Sequence, residues 1–380
     1  MSSIVKGDAL LKSIVAQKDN PLTHEEWEAS AKQKMEPHKF GHIRSGAGAE
    51  ETLRRNRSAF SKWAILPRVL KDVSAIDTSL TLFGHTYKHP FLLAPIGMQK
   101  LAHEEGDLAS VRAAAKWDVP FIASTVSSYS LEDIAEAAGD NPRWFQLYWS
   151  NDEAVSFSML KRAEKAGYEA IVVTVDTVML GWREEDLRNG FSPLRAGVGK
   201  ANYVNDPAFM ASLPDATDDS IIQGILKNVY HPSFDWKKID KIKRATTLPV
   251  LLKGILHPDD AMLAVEAGID GIIVSNHGGR QLDGVAASLD ALPLIAKAVG
   301  GRIPVLLDSG IRRGTDLVKA LALGADGVLL GRPYIYGLAA GGQAGVEQVL
   351  GNFIEETRVS LALTGISKIT ELSSVELIRE

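Results

Sequence analysis

Eight short apolar runs recur along the chain with helical patterns between them, and this alternation restricts the fold more than any other feature. The runs are Phe91–Gly97, Pro120–Thr125, Arg143–Trp149, Ala170–Asp176, Pro249–Ile255, Gly271–Asn276, Pro304–Gly310 and Gly327–Pro333. Helical patterns cover Gly106–Trp117, Ser130–Ala138, Asp152–Ala166, Trp236–Ala245, Pro258–Ala267, Ser288–Val299 and Thr315–Leu323, and another follows Gly345. Strands buried on both faces read as continuous apolar runs, and parallel neighbours need a crossover between them. The pattern predicts an α/β fold, a closed (β/α)8 TIM barrel rather than an open doubly wound sheet.

Residues 1–88 precede the first run and predict an N-terminal helical cover. Thr23 and Glu26 have the spacing of a capping box that opens a helix through Lys34, and Glu50–Trp63 reads as a second charged helix. The barrel is expected over 89–365 and a tail over 366–380, all in one structural domain. A long polar stretch, 188–235, follows the fourth strand. Long insertions on the C-terminal face of a barrel often act as lids, and a lid is predicted here.

Polar side chains gather at the ends of these runs, where a packed core needs none. Gln146 and Tyr148 close the third run, Thr174 and Asp176 the fourth, and Lys253 stands in the fifth. His277 and Arg280 follow the sixth, and Asp308 ends the seventh. In SNHGGRQLD, 275–283, an imidazole that titrates near neutrality stands three residues from a planar permanent cation. That pair suits a substrate that is both an acid and a proton donor. Glycines and arginines in DSGIRRGTD, 308–316, and LGRP, 330–333, form a phosphate site at the barrel's usual position. A sugar phosphate, a pyridoxal cofactor and a flavin mononucleotide would each suit such a barrel, and the residue pattern leaves the three open.

Composition removes other classes. With 380 residues and 45% hydrophobic content the chain can bury a large core. A net charge of −5 offers no basic field for nucleic acid, and zero cysteines exclude disulfides, thiolate metal sites and cysteine nucleophiles. No metal is expected. No run approaches the roughly 20 apolar residues that span a bilayer. MSSIVKGDALLKSIVAQKDN, at the start, has neither a continuous apolar core nor a small-residue cleavage site, so it reads as mature protein. A cytoplasmic protein without a membrane partner is expected.

FQLY at Phe145, TVDT at Thr174, KGI at Lys253, SNHGGRQLD at Ser275, DSGIRRG at Asp308 and GRP at Gly331 together resemble the FMN-dependent L-2-hydroxy acid oxidising family. That family includes glycolate oxidases, lactate oxidases and lactate 2-monooxygenases, and the resemblance runs from about Ser45 to Leu363. It implies FMN as cofactor and His277, Asp176, Tyr148 and Lys253 as catalytic residues. His277 would take the hydroxyl proton, Asp176 would orient it, Tyr148 would bond the substrate oxygen, and Lys253 would place positive charge at the flavin. Arg183 and Arg280 would clamp the substrate carboxylate. Pro95, Ile96, Gly97, Ser124, Gln146, Thr174, Lys253, Ser275, Asp308, Ser309, Gly310, Ile311, Arg312, Gly331 and Arg332 would contact FMN. The resemblance also implies a homo-oligomer, a tetramer.

Departures from the family pattern bear on the outcome. FGHIRSGAG, 40–48, carries His42 where a carboxylate-binding tyrosine is usual, which implies weaker or more pH-sensitive binding at that contact. Gly97 stands where many relatives have alanine, which implies extra room at the reacting face. GWREEDLRNG, from Gly181, and NYVNDP, from Asn202, are most similar to the monooxygenase branch and imply a lid, with Tyr203 either a substrate-side lid residue or a ring that anchors the loop by packing. The expected reaction is oxidation of a small L-2-hydroxy acid, L-lactate foremost, by O2. It would yield either acetate, CO2 and water or pyruvate and peroxide. The alternatives are a dehydrogenase with another acceptor and a flavin-binding protein impaired by His42.

Overall fold

The computed structural model describes residues 21–380; the stretch read as a mature N-terminus, 1–20, lies outside the described residues. Among the described residues three helices come first, His24–Lys34, Pro37–Arg44 and Glu51–Ser61. The capping box is present: Thr23 Oγ1 accepts from Glu26 N at 3.2 Å while Glu26 Oε2 accepts from Thr23 N at 3.1 Å. Strand β1 (Trp63–Ile65) and the hairpin β2 (Leu80–Leu82) and β3 (His85–Tyr87) follow. An all-helical cover was expected here. The hairpin forms because Leu80, Leu82 and Tyr87 bury on one face while Phe83 and Gly84 take the positive φ values, 52° and 82°, of a tight reversal. It plugs the N-terminal end of the barrel: Cβ atoms added at Gly327 and Gly271 would lie 2.9 Å from Leu80 and 3.4 Å from Phe83.

The predicted runs become β4 (Phe91–Leu93), β5 (Phe121–Ser124), β6 (Arg143–Leu147), β7 (Ile171–Thr174), β8 (Val250–Ile255), β9 (Gly271–Val274), β10 (Val305–Leu307) and β11 (Gly327–Leu330). They close a barrel in sequence order, with β11 returning to β4. Every neighbouring pair is parallel; Thr174, for example, stands opposite Lys253. Several strands are shorter than the apolar runs. Residues after the last ladder bond, such as Ala94–Gly97 and Asp308–Gly310, turn out of the sheet to face the C-terminal mouth, with φ of 74° at Ser309 and 99° at Gly310. The last helix starts at Arg332 rather than after Gly345 and runs to Thr364, broken at Gly341 and Gly342.

The C-terminal stretch is no loose tail. Strand β12 (Leu377–Arg379) pairs antiparallel with β1, Trp63 opposite Arg379. Nor is 188–235 a polar loop. It holds helices Ala201–Val204, Pro207–Ala211 and Asp218–Val229 and the last two residues of Glu184–Asn189. Ile221, Ile222, Ile225 and Val229 give the longest of these a buried stripe at helical spacing. Asn202, wholly buried, fastens the insertion to the barrel. Its Nδ2 donates to Ser124 O, Thr125 O and Ser127 Oγ at 3.0–3.1 Å, and its Oδ1 accepts from Leu131 N at 2.8 Å. Arg162 adds a second tie, bonding Asn202 O, Asp206 and Glu132.

Among the described residues no helix is long and apolar enough to cross a membrane. Asn202→Ala leaves several buried partners unpaired, at about 1–3 kcal/mol each. It is expected to lower the thermal midpoint and to open the insertion to limited proteolysis. An unchanged midpoint with an unchanged digestion pattern would show that the clasp does not hold the insertion.

Candidate active site

One cavity of about 710 Å³ opens at the C-terminal mouth of the barrel, between the strand ends, the helix Pro37–Arg44 and the insertion. His277 lines it, held at φ 59°, a left-handed conformation rare for a side chain of this size. Gly278 and Gly279 continue the same turn at φ 65° and 75°. A Cβ on Gly279 would lie 2.7 Å from Leu53 N, so the glycines let the N-terminal segment pack against this loop. His277 Nδ1 lies 2.8 Å from Asp176 Oδ1. A carboxylate only accepts, so Nδ1 carries the proton and Nε2 keeps a lone pair. Asp176 stands behind the imidazole rather than in the cavity wall. Gly254 makes that possible, since a Cβ there would come within 2.6 Å of Asp176 Cβ.

Burial lowers the pKa of His277 while the Asp176 carboxylate opposes the shift, so the neutral, basic form prevails at neutral pH. Burial also works against the charge on Asp176, but His277 and Lys253 outweigh it and hold Asp176 below its ordinary value. Lys253 obeys the same logic. Burial would discharge it, yet Asp308, at 3.1 Å, and Asp176 raise its pKa. Its Nζ also donates to Ser275 Oγ at 3.1 Å. Tyr148 lines the cavity, and burial raises its hydroxyl to about 12, keeping it a donor.

Arg183 and Arg280 both line the cavity. Arg183 Nε donates to Arg280 O and its Nη2 to Gln281 Oε1, each at 3.2 Å. Arg280 Nη1 donates to His42 O at 2.6 Å and Ser45 O at 2.7 Å. His42 is part of the wall, and its Nδ1 lies 3.0 Å from each carboxylate oxygen of Asp186.

A flavin mononucleotide needs donors for its ring carbonyls and cations for its phosphate, and the residues here supply both. Gln146 Oε1 accepts from Ser124 Oγ and Thr125 N, which leaves its buried Nε2 without a partner. Arg312 Nε is likewise buried and unpaired. Burial, with Arg332 and Arg57 nearby, lowers Arg312 to about 9, a penalty that an anion would relieve. Pro95, Ile96, Gly97, Ser124, Lys253, Asp308, Ser309, Gly310, Ile311, Arg312, Gly331 and Arg332 all line the cavity. Gln146, Thr174 and Ser275 stand behind it, each at most 5% exposed.

Two expectations fail. Tyr203 does not line the cavity; at 1% exposure it packs edge-on against Phe209 and anchors the insertion. Gly97 opens no extra room, because a Cβ there would lie 2.6 Å from Val126 Cγ2 and 2.7 Å from Val126 O. Some residues were missed. Tyr230, from the insertion, lines the cavity and lies near Arg183 and Arg280. Gln281 ties the loops after β7 and β9, bonding Asp176 O and Met179 O at 2.9 Å. Gln99 backs the Ala94–Met98 wall by donating to Ile96 O. No motif flags these three, although Gln281 sits next to Arg280 within SNHGGRQLD.

The chain matches the family model described as FMN-dependent dehydrogenase over residues 31–379. It is 58% identical to an L-lactate oxidase of Lysinibacillus sphaericus (strain C3-41), covering 100% of this chain and 98% of that one. It is 42% identical to the Homo sapiens 2-hydroxyacid oxidase 1, covering 90% of this chain and 93% of that protein. A crystal structure of mandelate oxidase superposes with a TM-score of 0.86 at 39% identity, covering 94% of this chain and 98% of the other. A closed barrel, a cavity suited to a flavin phosphate and a match over nearly the whole length agree, and the chain belongs to the FMN-dependent dehydrogenase family.

Proposed function

We propose that this protein oxidises a small L-2-hydroxy acid, L-lactate foremost, to the 2-keto acid with O2 as the electron acceptor. One observation carries the reading: an imidazole anchored by a buried carboxylate shares a cavity with two guanidinium groups. The near-complete match to an L-lactate oxidase supports the choice of substrate.

Bound FMN supplies the two-electron acceptor, and the chain's own residues do the rest. Arg183 and Arg280 receive the carboxylate and fix the carbon that loses hydrogen, which lowers the orientational cost of reaction. His277 Nε2 takes the hydroxyl proton, and Asp176 stabilises the imidazolium that results. The Tyr148 hydroxyl donates to the substrate oxygen as negative charge builds there. Lys253 places a fixed positive charge at the base of the site. Tyr230 and the insertion close the cavity against water.

The same reading includes FMN contacts from Gln146, Ser124, Lys253, Arg312 and the Asp308–Gly310 and Gly331–Arg332 turns. It also includes a cytoplasmic homotetramer. Val69, Leu70 and Leu363, at 78%, 102% and 73% exposure, offer apolar surface for a contact between copies.

Mixing the yellow holoprotein with L-lactate without air is expected to bleach the flavin absorbance. In air, pyruvate and peroxide should accumulate in equal amounts. Acetate and CO2 in their place would assign the monooxygenase outcome, and colour that survives every 2-hydroxy acid would refute the reading. His277→Gln is expected to keep FMN and lower kcat by about 10²–10⁴-fold. In the unmodified protein, activity should fall on acidification only below the ordinary histidine range, because His277 must be neutral to act and burial depresses its pKa. Gly97→Ala forces a clash with Val126 and is expected to cost about 1–3 kcal/mol. It should read as a lower thermal midpoint and faster loss of FMN.

A further inference from the structure

The cavity holds a second imidazole–carboxylate pair besides His277 and Asp176. His42 stands in the helix Pro37–Arg44, and Asp186 in the short helix that follows Arg183. Both line the cavity, so a carboxylate of the protein faces the space that receives the substrate's carboxylate. Asp186 stays ionised. Burial opposes its charge, but the bond from His42 and the fields of Arg280 and Arg183 hold its pKa below the ordinary value.

The tautomer follows from the geometry. His42 Nδ1 lies 3.0 Å from each Asp186 oxygen and must carry the proton, because the carboxylate can only accept. Nε2 has no partner among the described residues. In a neutral ring that atom offers a lone pair, which repels a carboxylate. In a protonated ring it offers a donor. Burial presses the ring toward neutrality, to about 4, and Arg280 and Arg183 push the same way while Asp186 opposes them.

An arriving anion reverses this balance. It offsets the two guanidinium charges that disfavour the imidazolium and adds its own attraction. We propose that binding of the substrate carboxylate takes up a proton from solvent at His42 Nε2, which makes His42 a substrate-binding residue and Asp186 the residue that positions it. The balance is simple: neutral His42, a carboxylate and one solvent proton give an imidazolium bridged between Asp186 and the bound acid. This deepens the reading above and rests on it.

Other charged and titratable groups face the pair from each neighbouring element. Arg183 precedes the helix that bears Asp186, Glu185 on that helix stands against Gly41, Arg280 lies on the loop after β9, and Tyr230 comes from the insertion. Phe191 packs edge-on against the His42 ring, at 5.8 Å between centroids. The consequence is specific: the two histidines of one cavity act in opposite protonation states. His277 must be neutral to accept a proton, and His42 must be charged to hold the acid.

The test is titration calorimetry of the oxidised holoenzyme with pyruvate, in buffers of different ionisation heat, from neutral to mildly alkaline pH. Wild type is expected to take up close to one proton at the lower end. Wherever uptake is close to one, pyruvate affinity should weaken by about tenfold per pH unit, and the slope should flatten as uptake falls. His42→Gln, which retains FMN by its visible spectrum, should bind with almost no uptake and little pH dependence. Asp186→Asn should reduce the uptake and raise KM for L-lactate more than it lowers kcat. Binding of pyruvate to wild type without proton uptake overturns this proposal alone. Uptake that persists in His42→Gln assigns the proton to His277 and overturns it equally. Failure of pyruvate to bind wild-type holoenzyme overturns the substrate reading and this proposal with it.

Discussion

Two carboxylates, Asp176 and Asp308, govern the electrostatics of the strand ends, because each is set against a basic partner that is withdrawn from solvent with it. Asp176 faces His277 at 2.8 Å and Asp308 faces Lys253 at 3.1 Å. Burial works against the charged forms of Asp176, His277 and Lys253. Paired, they leave a basic imidazole and an ammonium side by side at the C-terminal mouth of the barrel. Deleting one member would strand the other's charge, and the cost of a stranded buried charge exceeds that of losing both. Interdependence of this kind extends outward through Ser275, which accepts from Lys253 and also from the backbone N–H of His277.

The N-terminal segment belongs to the site as much as the barrel does. Arg280 bonds the carbonyls of His42 and Ser45, and Arg332 bonds those of Ile43, Ser45 and Gly278. Two cations, one on the loop after β9 and one at the start of the last helix, thus grip one turn of chain. Asp283 completes the attachment by accepting from the N–H groups of Glu51 and Thr52 at the head of the next helix. The motif 275–283 therefore carries a structural contact at its last residue and a cavity-lining imidazole at its third.

Much of this was legible because two signals in the residues reinforce one another. Apolar runs mark parallel strands whatever their order, and the polar residues just past them mark the working end. That logic located the eight barrel strands and brought His277, Lys253, Asp308 and Arg280 to one mouth, whereas Arg183 entered only through the family resemblance. It was silent where contacts join segments distant in sequence. Nothing local to Tyr203 says that its ring turns inward against Phe209, and nothing local to Gly97 says that Val126 occupies the space beside it. The hairpin β2–β3 escaped because three-residue strands are too short for periodicity to separate from loops. The helical insertion was read as polar loop because its stripe of isoleucines is flanked by Asp, Asn and Gly, which punctuate the pattern without breaking the helix.

Pairing of β1 with β12 has a consequence for how the molecule is made. Trp63 meets Arg379, and Glu380 N donates to Lys62 O at 2.8 Å. Domains tend to form from the N-terminal side during synthesis. Here the edge at Trp63–Ile65 must wait, unpaired, until Leu377–Arg379 has left the ribosome. The short length of β1, three residues, limits the hazard of that delay, since so small an exposed edge is a poor template for pairing with a neighbouring nascent chain.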